Sequence, residues 1–430
     1  MSDAITPPAG EPHAGLEPVS AHSTARFEKR LKARYAQEKR FKALGLAAIS
    51  FSVVVLILLL SNMLFNGLGG FQRAELSVEI DFVQSGLQAP AEGATAPETM
   101  RSLDDQGLRS VVFGAAQESL GAKGAEQLNG EAWREVARMI HANPAILTRK
   151  DMLSLPTSAD LSAGFSGEGR AEMQALANDL VSKGVLERNL DLGFLQRSDA
   201  TDPQLAGIWG ALKGSVLTML VTFVLAFPIG IMAALYLEEY APKNRWTDFL
   251  EVSINNLAAV PSIIFGLLGL FFLMTTFPTL RSTPIIAGIT LALMTMPVIV
   301  ISGRNAIKAV PPSIRDGALA VGASPVQVVF HHVLPLAMPG MLTGTIIGMA
   351  RALGETAPLI LIGLRAFVAT PPEGFTSAAT VLPVQIFLWS DEIDRGFVER
   401  TSAAIIVLLI VLLLMNGLAI YLRNKFEKSW

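Results

Sequence analysis

The chain has 430 residues, 51% of them hydrophobic and only 17% charged, with a mean hydropathy of +0.45. That balance excludes an ordinary soluble globule and implies an integral membrane protein. With no cysteine, disulfides, thiol catalysis and cysteine metal sites are excluded as well, and a net charge of −3 averages over unlike parts and says little about partners.

In chain order, residues 1–25 are rich in Pro, Ala, Ser and Gly and read as disordered. Eight Lys and Arg follow within 26–42. This stretch is either an interfacial helix against anionic membrane lipid or a topology signal alone, and 1–42 as a whole reads as a tail. Six apolar spans are expected, at 43–65, 210–237, 254–277, 284–302, 341–362 and 401–422, because about 20 mostly apolar residues cross the hydrocarbon core. The first is too long and starts too deep for a cleaved signal peptide. The basic tail places the N-terminus in the cytoplasm. Six crossings then return the C-terminus there, put the 303–339 loop with Arg304, Lys308 and Arg315 inside, and leave the acidic 363–400 loop outside.

Residues 70–205 form an extracytoplasmic insert with 20 acidic and 12 basic residues. In AELSVEIDF, Leu76, Val78, Ile80 and Phe82 alternate with polar residues, as in a half-buried strand. QAPAEGATAPE reads as a loop. Helical patterns follow at about 103–120, 126–142 and 169–186, and in the second Trp133, Val136, Ala137 and Ile140 share a face. Pro144, Pro156 and the glycines at 164, 167 and 169 separate them, which gives a small α+β domain. It carries no nucleophile–base set, metal-ligand spacing or phosphate loop, and its single histidine, His141, suits a surface or capping role. No Walker A pattern occurs anywhere in the chain, so any nucleotide is handled elsewhere. Nothing points to a nucleic acid.

The loop after the fourth span reads GRNAIKAVPPSIRDGALAVGASPVQVVFHHVLPLAMPG. Its punctuation predicts two short helices. Ser313 with Asp316 resembles a capping box that opens the first, and Gly322 suits the left-handed position after it. Ser324 and Pro325 look like an N-cap and N1 pair opening the second, which Pro335 and Pro339 are expected to end. The small apolar ridge 318–323 either marks a protein contact or folds back on its own bundle.

DGALAVG followed nine residues later by HVLP resembles the EAA loop of ABC importer permeases. The glycine, the spacing and Leu334–Pro335 fit. Asp316–Gly317 stands in place of the usual Glu–Ala, and Gly317 lowers helix propensity by about 1 kcal/mol. The resemblance implies that Asp316, Gly317, Ala318, Gly322, Leu334 and Pro335 belong to a coupling helix seated on an ATPase subunit. AAVPSIIFGLLGL and MARALGETAPLI are similar to phosphate-specific permeases of the PstA type, over residues 207–423. The family implies a six-helix, all-α polytopic fold in a bacterial inner membrane, inorganic phosphate as cargo, a PstC-type permease partner, two PstB-type ATPase subunits that bind the ATP, and a periplasmic phosphate-binding protein. No cofactor is implied for this chain.

Two charges interrupt the fifth expected span. Arg351 is placed near its middle, where a charge costs roughly 2.5–3.5 kcal/mol on insertion scales, so it should face the interior or a wet cavity. Glu355 lies one helical turn on and can meet it. The pair is either a structural ion pair or part of the substrate path, with Glu355 holding Arg351 until a phosphate takes its place in the guanidinium fork. Gly340, Gly344, Gly348 and Ala352 recur every four residues and permit close helix packing. Thr345 lies near the Arg351 flank. Arg304, at the inner end of the fourth span, is either a topology anchor or a second substrate contact. Three rivals remain open. A membrane sensor would lack an ATPase partner, a secondary transporter would run on an ion gradient, and a permease for another oxyanion would use the same arginine.

Overall fold

The computed structural model of the chain describes residues 25–426, apart from 92, 168, 365, 366 and 395. The stretch expected to be disordered, 1–25, lies almost wholly outside the described residues, as do residues 427–430. The chain divides into two compact units, Met1–Asn62 and Met63–Trp430. The first holds most of helix α1 (Ala25–Gly70). Its apolar run from Leu44 to Leu60 is exposed around the whole helix, the pattern of a segment built for lipid.

The second unit begins with the last turns of α1 and enters the insert. Strand β1 (Gln72–Asp81) is the centre of a three-stranded antiparallel sheet in the order β2-β1-β3, with β2 (Lys150–Pro156) and β3 (Leu186–Leu190) at the edges. Leu76, Val78 and Ile80 of β1 are fully buried, so the alternating pattern does place one face inward. Phe82 is buried too, but it opens the short helix α2 (Phe82–Ser85), because the Asp81 carboxylate accepts from the amides of Val83 and Gln84 and caps a helix there. Helices α3 (Ala96–Asp105), α4 (Leu108–Ala125) and α5 (Ala132–Ala142) cover the sheet. The helix expected at 103–120 is in fact two, split at Gly107, whose φ of +87° only glycine adopts readily. Trp133, Val136, Ala137 and Ile140 are buried on one face of α5. Helices α6 (Ala159–Phe165) and α7 (Ala171–Ser182) complete the insert.

Helix α8 (Trp209–Leu235) starts the bundle and ends in a π turn, Tyr236–Tyr240. The span expected at 254–277 is corrected. It is broken at Pro261, with α9 (Arg245–Ala258) meeting the following segment at 101°. That segment comprises α10 (Ser262–Leu268), a π turn at Gly269–Leu273 and α11 (Met274–Thr276). Proline has no N–H to continue the helix and disfavours helical geometry in Val260 before it. Helix α12 (Pro284–Lys308) is the most buried span and packs on α8. Among the described residues, five helices are long and apolar enough to cross a membrane, and the bent pair makes a sixth if counted as one span.

Two further expectations are corrected after α12. Helix α13 (Pro312–Ala320) starts at the proline pair, with no side-chain cap from Ser313. Proline at N1 supplies a helix-ready φ without a cap. Beyond Ser324, which caps α14 (Pro325–Val328) in a capping box with Gln327, the helix does not stop at Pro335 or Pro339. A π turn at Val329–Val333 leads directly into α15 (Leu334–Leu353). The Leu334 amide reaches back five residues to the Val329 carbonyl, and this wider turn relieves the clash that Pro335 would cause in a regular helix. The span expected at 341–362 therefore ends early, at Leu353. Gly354 breaks it, and Pro358 lies in the separate short helix α16 (Ala357–Leu361). A buried helix, α17 (Leu382–Ser390), lies in what reads as an outer loop, and α18 (Gly396–Phe426) is the last span.

The insert is locked to the bundle through buried charge. Arg400 of α18 donates to the carbonyls of Gly70 and Pro203 and to Asp191 at 2.9 Å. Arg197 reaches the same Asp191 oxygen at 2.5 Å. Phe194 stacks beneath the Arg400 guanidinium, 5.2 Å away, and packs on Phe71 and Trp389. Burial alone would raise the Asp191 carboxyl, but Arg197 and Arg400 outweigh it and hold the group below the usual range.

Candidate functional site

Arg351 sits in the last turn of α15 and not at mid-span. The reason is local: the amides of Gly354 and Glu355 turn back to the carbonyls of Arg351 and Ala352 and close the helix. Across this end the Arg351 Nε lies 3.4 Å from Glu355 Oε1. The arginine side chain is 53% exposed and the glutamate 19%. Of the two settings expected for Arg351, the interior of this chain's own bundle is not the one it occupies. Within one chain, Arg351 presents half its surface outward, and Glu355 anchors it from behind.

The glycine row lies on a different face. A Cβ at Gly340 would press on Ala306, one at Gly344 would overlap the Ser302 side chain, and one at Gly348 would meet Thr295 at 2.9 Å. All three neighbours are on α12, and Ala352 is buried. Thr345 is buried as well, and its hydroxyl donates to the Met341 carbonyl of its own helix at 2.9 Å. The structure does not bring Thr345 together with the Arg351–Glu355 pair.

At the other end of α15 stands the loop of α13 and α14. Helix α13 closes in a Schellman arrangement: the Gly322 amide reaches Leu319 O and the Ala323 amide reaches Ala318 O. Gly322 has φ +91°, which is why a glycine is needed there. Ala318 is buried, whereas Asp316, Gly317, Gly322 and Val321 are exposed, and Leu334 and Pro335 are half-buried. Leu319, Val326 and Phe330 are also about half exposed, which leaves an uncovered apolar surface on this loop.

Sequence reasoning missed what holds the loop. Arg304 is buried and pairs with Glu238 at 3.3 Å and with Glu251. Lys308 approaches Glu238 at 3.6 Å. Arg315 of α13 donates to Glu239 at 2.7 Å and to the Ile307 and Val310 carbonyls at the end of α12. One network therefore ties α13 to α8, α9 and α12. The available signal was the pair Glu238–Glu239 closing an apolar span beside a basic loop. Two nitrogens of the Arg304 guanidinium, Nε and Nη2, are each engaged by a carboxylate. Among the described residues no group of three His, Cys, Asp or Glu is placed to hold a metal.

Residues 226–428 match the family described as binding-protein-dependent transport system inner membrane component. Residues 28–175 match a domain of unknown function, DUF3333. The phosphate transport system permease protein PstA 1 of Mycobacterium tuberculosis is 31% identical over 218 residues, covering 50% of this chain and 70% of that protein. PstA of Yersinia pestis is 32% identical over 249 residues, covering 57% and 82%. The probable ABC transporter permease YqgI of Bacillus subtilis is 31% identical, covering 50% and 73%. Among solved structures, a chain of the inward-facing MetNI methionine ABC transporter is 20% identical and covers 51% of this chain and 98% of its own, with a TM-score of 0.41. The assignment rests on the sequence relatives: this chain is a membrane-spanning permease subunit of an ABC importer and belongs to the PstA-type family.

Proposed function

We propose that the chain is the PstA-type half of an ATP-driven phosphate importer in a bacterial inner membrane, with both termini cytoplasmic and residues 70–205 periplasmic. The observation that carries this reading is the Arg351–Glu355 pair. A half-exposed guanidinium at a helix end, held from behind by one carboxylate, offers an anion its planar fork. A second permease of the PstC type would face it and complete the path. Phosphate would take Arg351 from Glu355, and Glu355 would then repel the anion and keep binding weak enough for release. The names of the mycobacterial and Yersinia relatives support phosphate over another oxyanion.

The exposed apolar surface of α13 and α14 would seat the PstB-type ATPase, which binds the ATP. A periplasmic phosphate-binding protein would deliver cargo. No bond is made or broken in this chain, and it needs no cofactor of its own.

Phosphate uptake in cells lacking their own high-affinity permease tests the reading. Wild type should restore ATP-dependent uptake. Arg351→Gln should abolish it with normal assembly, Glu355→Gln should alter release, and Gly322→Trp should lose the ATPase. Normal transport by Arg351→Gln would make the charge structural and sink the proposed path. Uptake of molybdate or sulfate in place of phosphate would overturn the cargo.

A further inference from the structure

The turn that closes the insert is apolar and uncovered. Leu190 ends β3, and Leu192 and Leu195 lie in the 3-10 turn Leu192–Leu195. They are 66%, 62% and 39% exposed, while Phe194 between them is fully buried. Backbone hydrogen bonds fix the height of this turn. The Asp191 amide donates to the Phe71 carbonyl at 2.8 Å, and the Ile208 amide donates to the Phe194 carbonyl at 3.0 Å. Phe71 is the first residue after α1, and Ile208 is the last before α8. Both helices are apolar and long enough to cross a membrane. The turn is therefore tied to the residue that follows α1 and to the residue that precedes α8.

Its surroundings carry the marks of a membrane boundary. Trp209, the first residue of α8, is 42% exposed, and Lys213 follows one turn further in. Tryptophan is enriched at this depth, and a lysine there extends its charge to water along an apolar stem. Leu64, Phe65 and Leu68, in the last turns of α1, are exposed as well. The exposed leucines of the insert thus lie on a turn bonded to the ends of two helices whose own surfaces are apolar and exposed.

We propose that the 190–195 turn, together with Trp209, rests in the interfacial layer of the bilayer and seats the insert on lipid. The occupant is lipid because the patch is continuous with surfaces that the spans present to lipid. It sits at the base of the insert, whereas Met152, which is 61% exposed, lies on β2 at the opposite edge of the sheet. The proposal does not depend on the nature of the cargo.

The chain has no cysteine, so single labels can be placed without background. Leu190→Cys, Leu192→Cys and Met152→Cys would each be spin-labelled in the full chain, with its accompanying subunits, in phosphatidylcholine–phosphatidylglycerol nanodiscs. The readout is relaxation by oxygen, which partitions into lipid, against a water-soluble nickel chelate. The ratio of oxygen to nickel accessibility should be several-fold higher at 190 and 192 than at 152. Equal, water-like ratios at all three positions would overturn the proposal. So would labels at 190 and 192 that are immobilised and shielded from both reagents, since that outcome makes the cover a protein. All three positions are exposed, so none of the substitutions disturbs the core.

Discussion

Arg400 and Asp191 meet at 2.9 Å in the interior of the protein, with side chains only 3% and 2% exposed. They join the start of the last span to the turn that closes the insert. Arg400→Met would leave Asp191 with Arg197 alone and free the carbonyls of Gly70 and Pro203. Breaking a buried pair by removing one partner costs about 3–5 kcal/mol. The expected outcome is a lower unfolding temperature in detergent, with proteolysis appearing first between 190 and 206. Arg400→Lys keeps the charge but loses the fork and should fall between the two.

Two aspartates near this joint shift in opposite senses. Asp191 titrates below its ordinary value of about 3.9. It contributes stability above that value, which is lost as pH falls through its lower folded pKa. Burial raises Asp199, against the hydrogen bond it accepts from the Trp389 indole at 2.9 Å. Its contribution is therefore present at low pH and lost as pH rises through the raised value. Asp199→Asn keeps an oxygen for the indole and removes the charge. It should stabilise the protein at pH 7 and make no difference near pH 3, as read from thermal unfolding at the two pH values.

Gly317 and Gly322 should respond to alanine with opposite signs. A Cβ at either meets nothing within 4 Å, so space decides neither case. Gly317 is inside α13, where alanine favours helix by about 1 kcal/mol. Gly322 is left-handed, where a side chain costs roughly 1–2 kcal/mol. Hydrogen exchange of the 312–323 amides should slow in Gly317→Ala and quicken in Gly322→Ala.

Arg315 and Glu239 bind α13 to the end of α8. A double-mutant cycle with Arg315→Met and Glu239→Gln, read by thermal unfolding, should give a coupling of about 1.5–3 kcal/mol, the range for hydrogen bonds to charged groups. A coupling near zero would show that the α13 loop is not held by this pair.

What the sequence made legible was periodicity and punctuation. The inward residues of β1 and α5, the left-handed Gly322 and the Ser324–Pro325 start were all readable, because each rests on interactions within a few residues. Two prolines misled in opposite ways. Pro335 was read as a stop, but a π turn lets the helix run through it. Residues 254–277 were read as one span, and Pro261 separates two helices there by 101°. Arg351 was placed at mid-span because hydropathy counts residues and does not register that Gly354 ends the helix. The Arg304–Glu238–Glu251 and Arg400–Asp191 clusters join residues 53 to 209 positions apart, and no local pattern reports such distances.

The exposed guanidinium of Arg351 also bears on biogenesis. A chain inserted without a companion would hold a cation, half uncovered, at the end of a membrane helix, where burial of charge in lipid is costly. On the proposed function, pairing with a second permease would cover this cation, so assembly would remove an exposed charge from the subunit's surface.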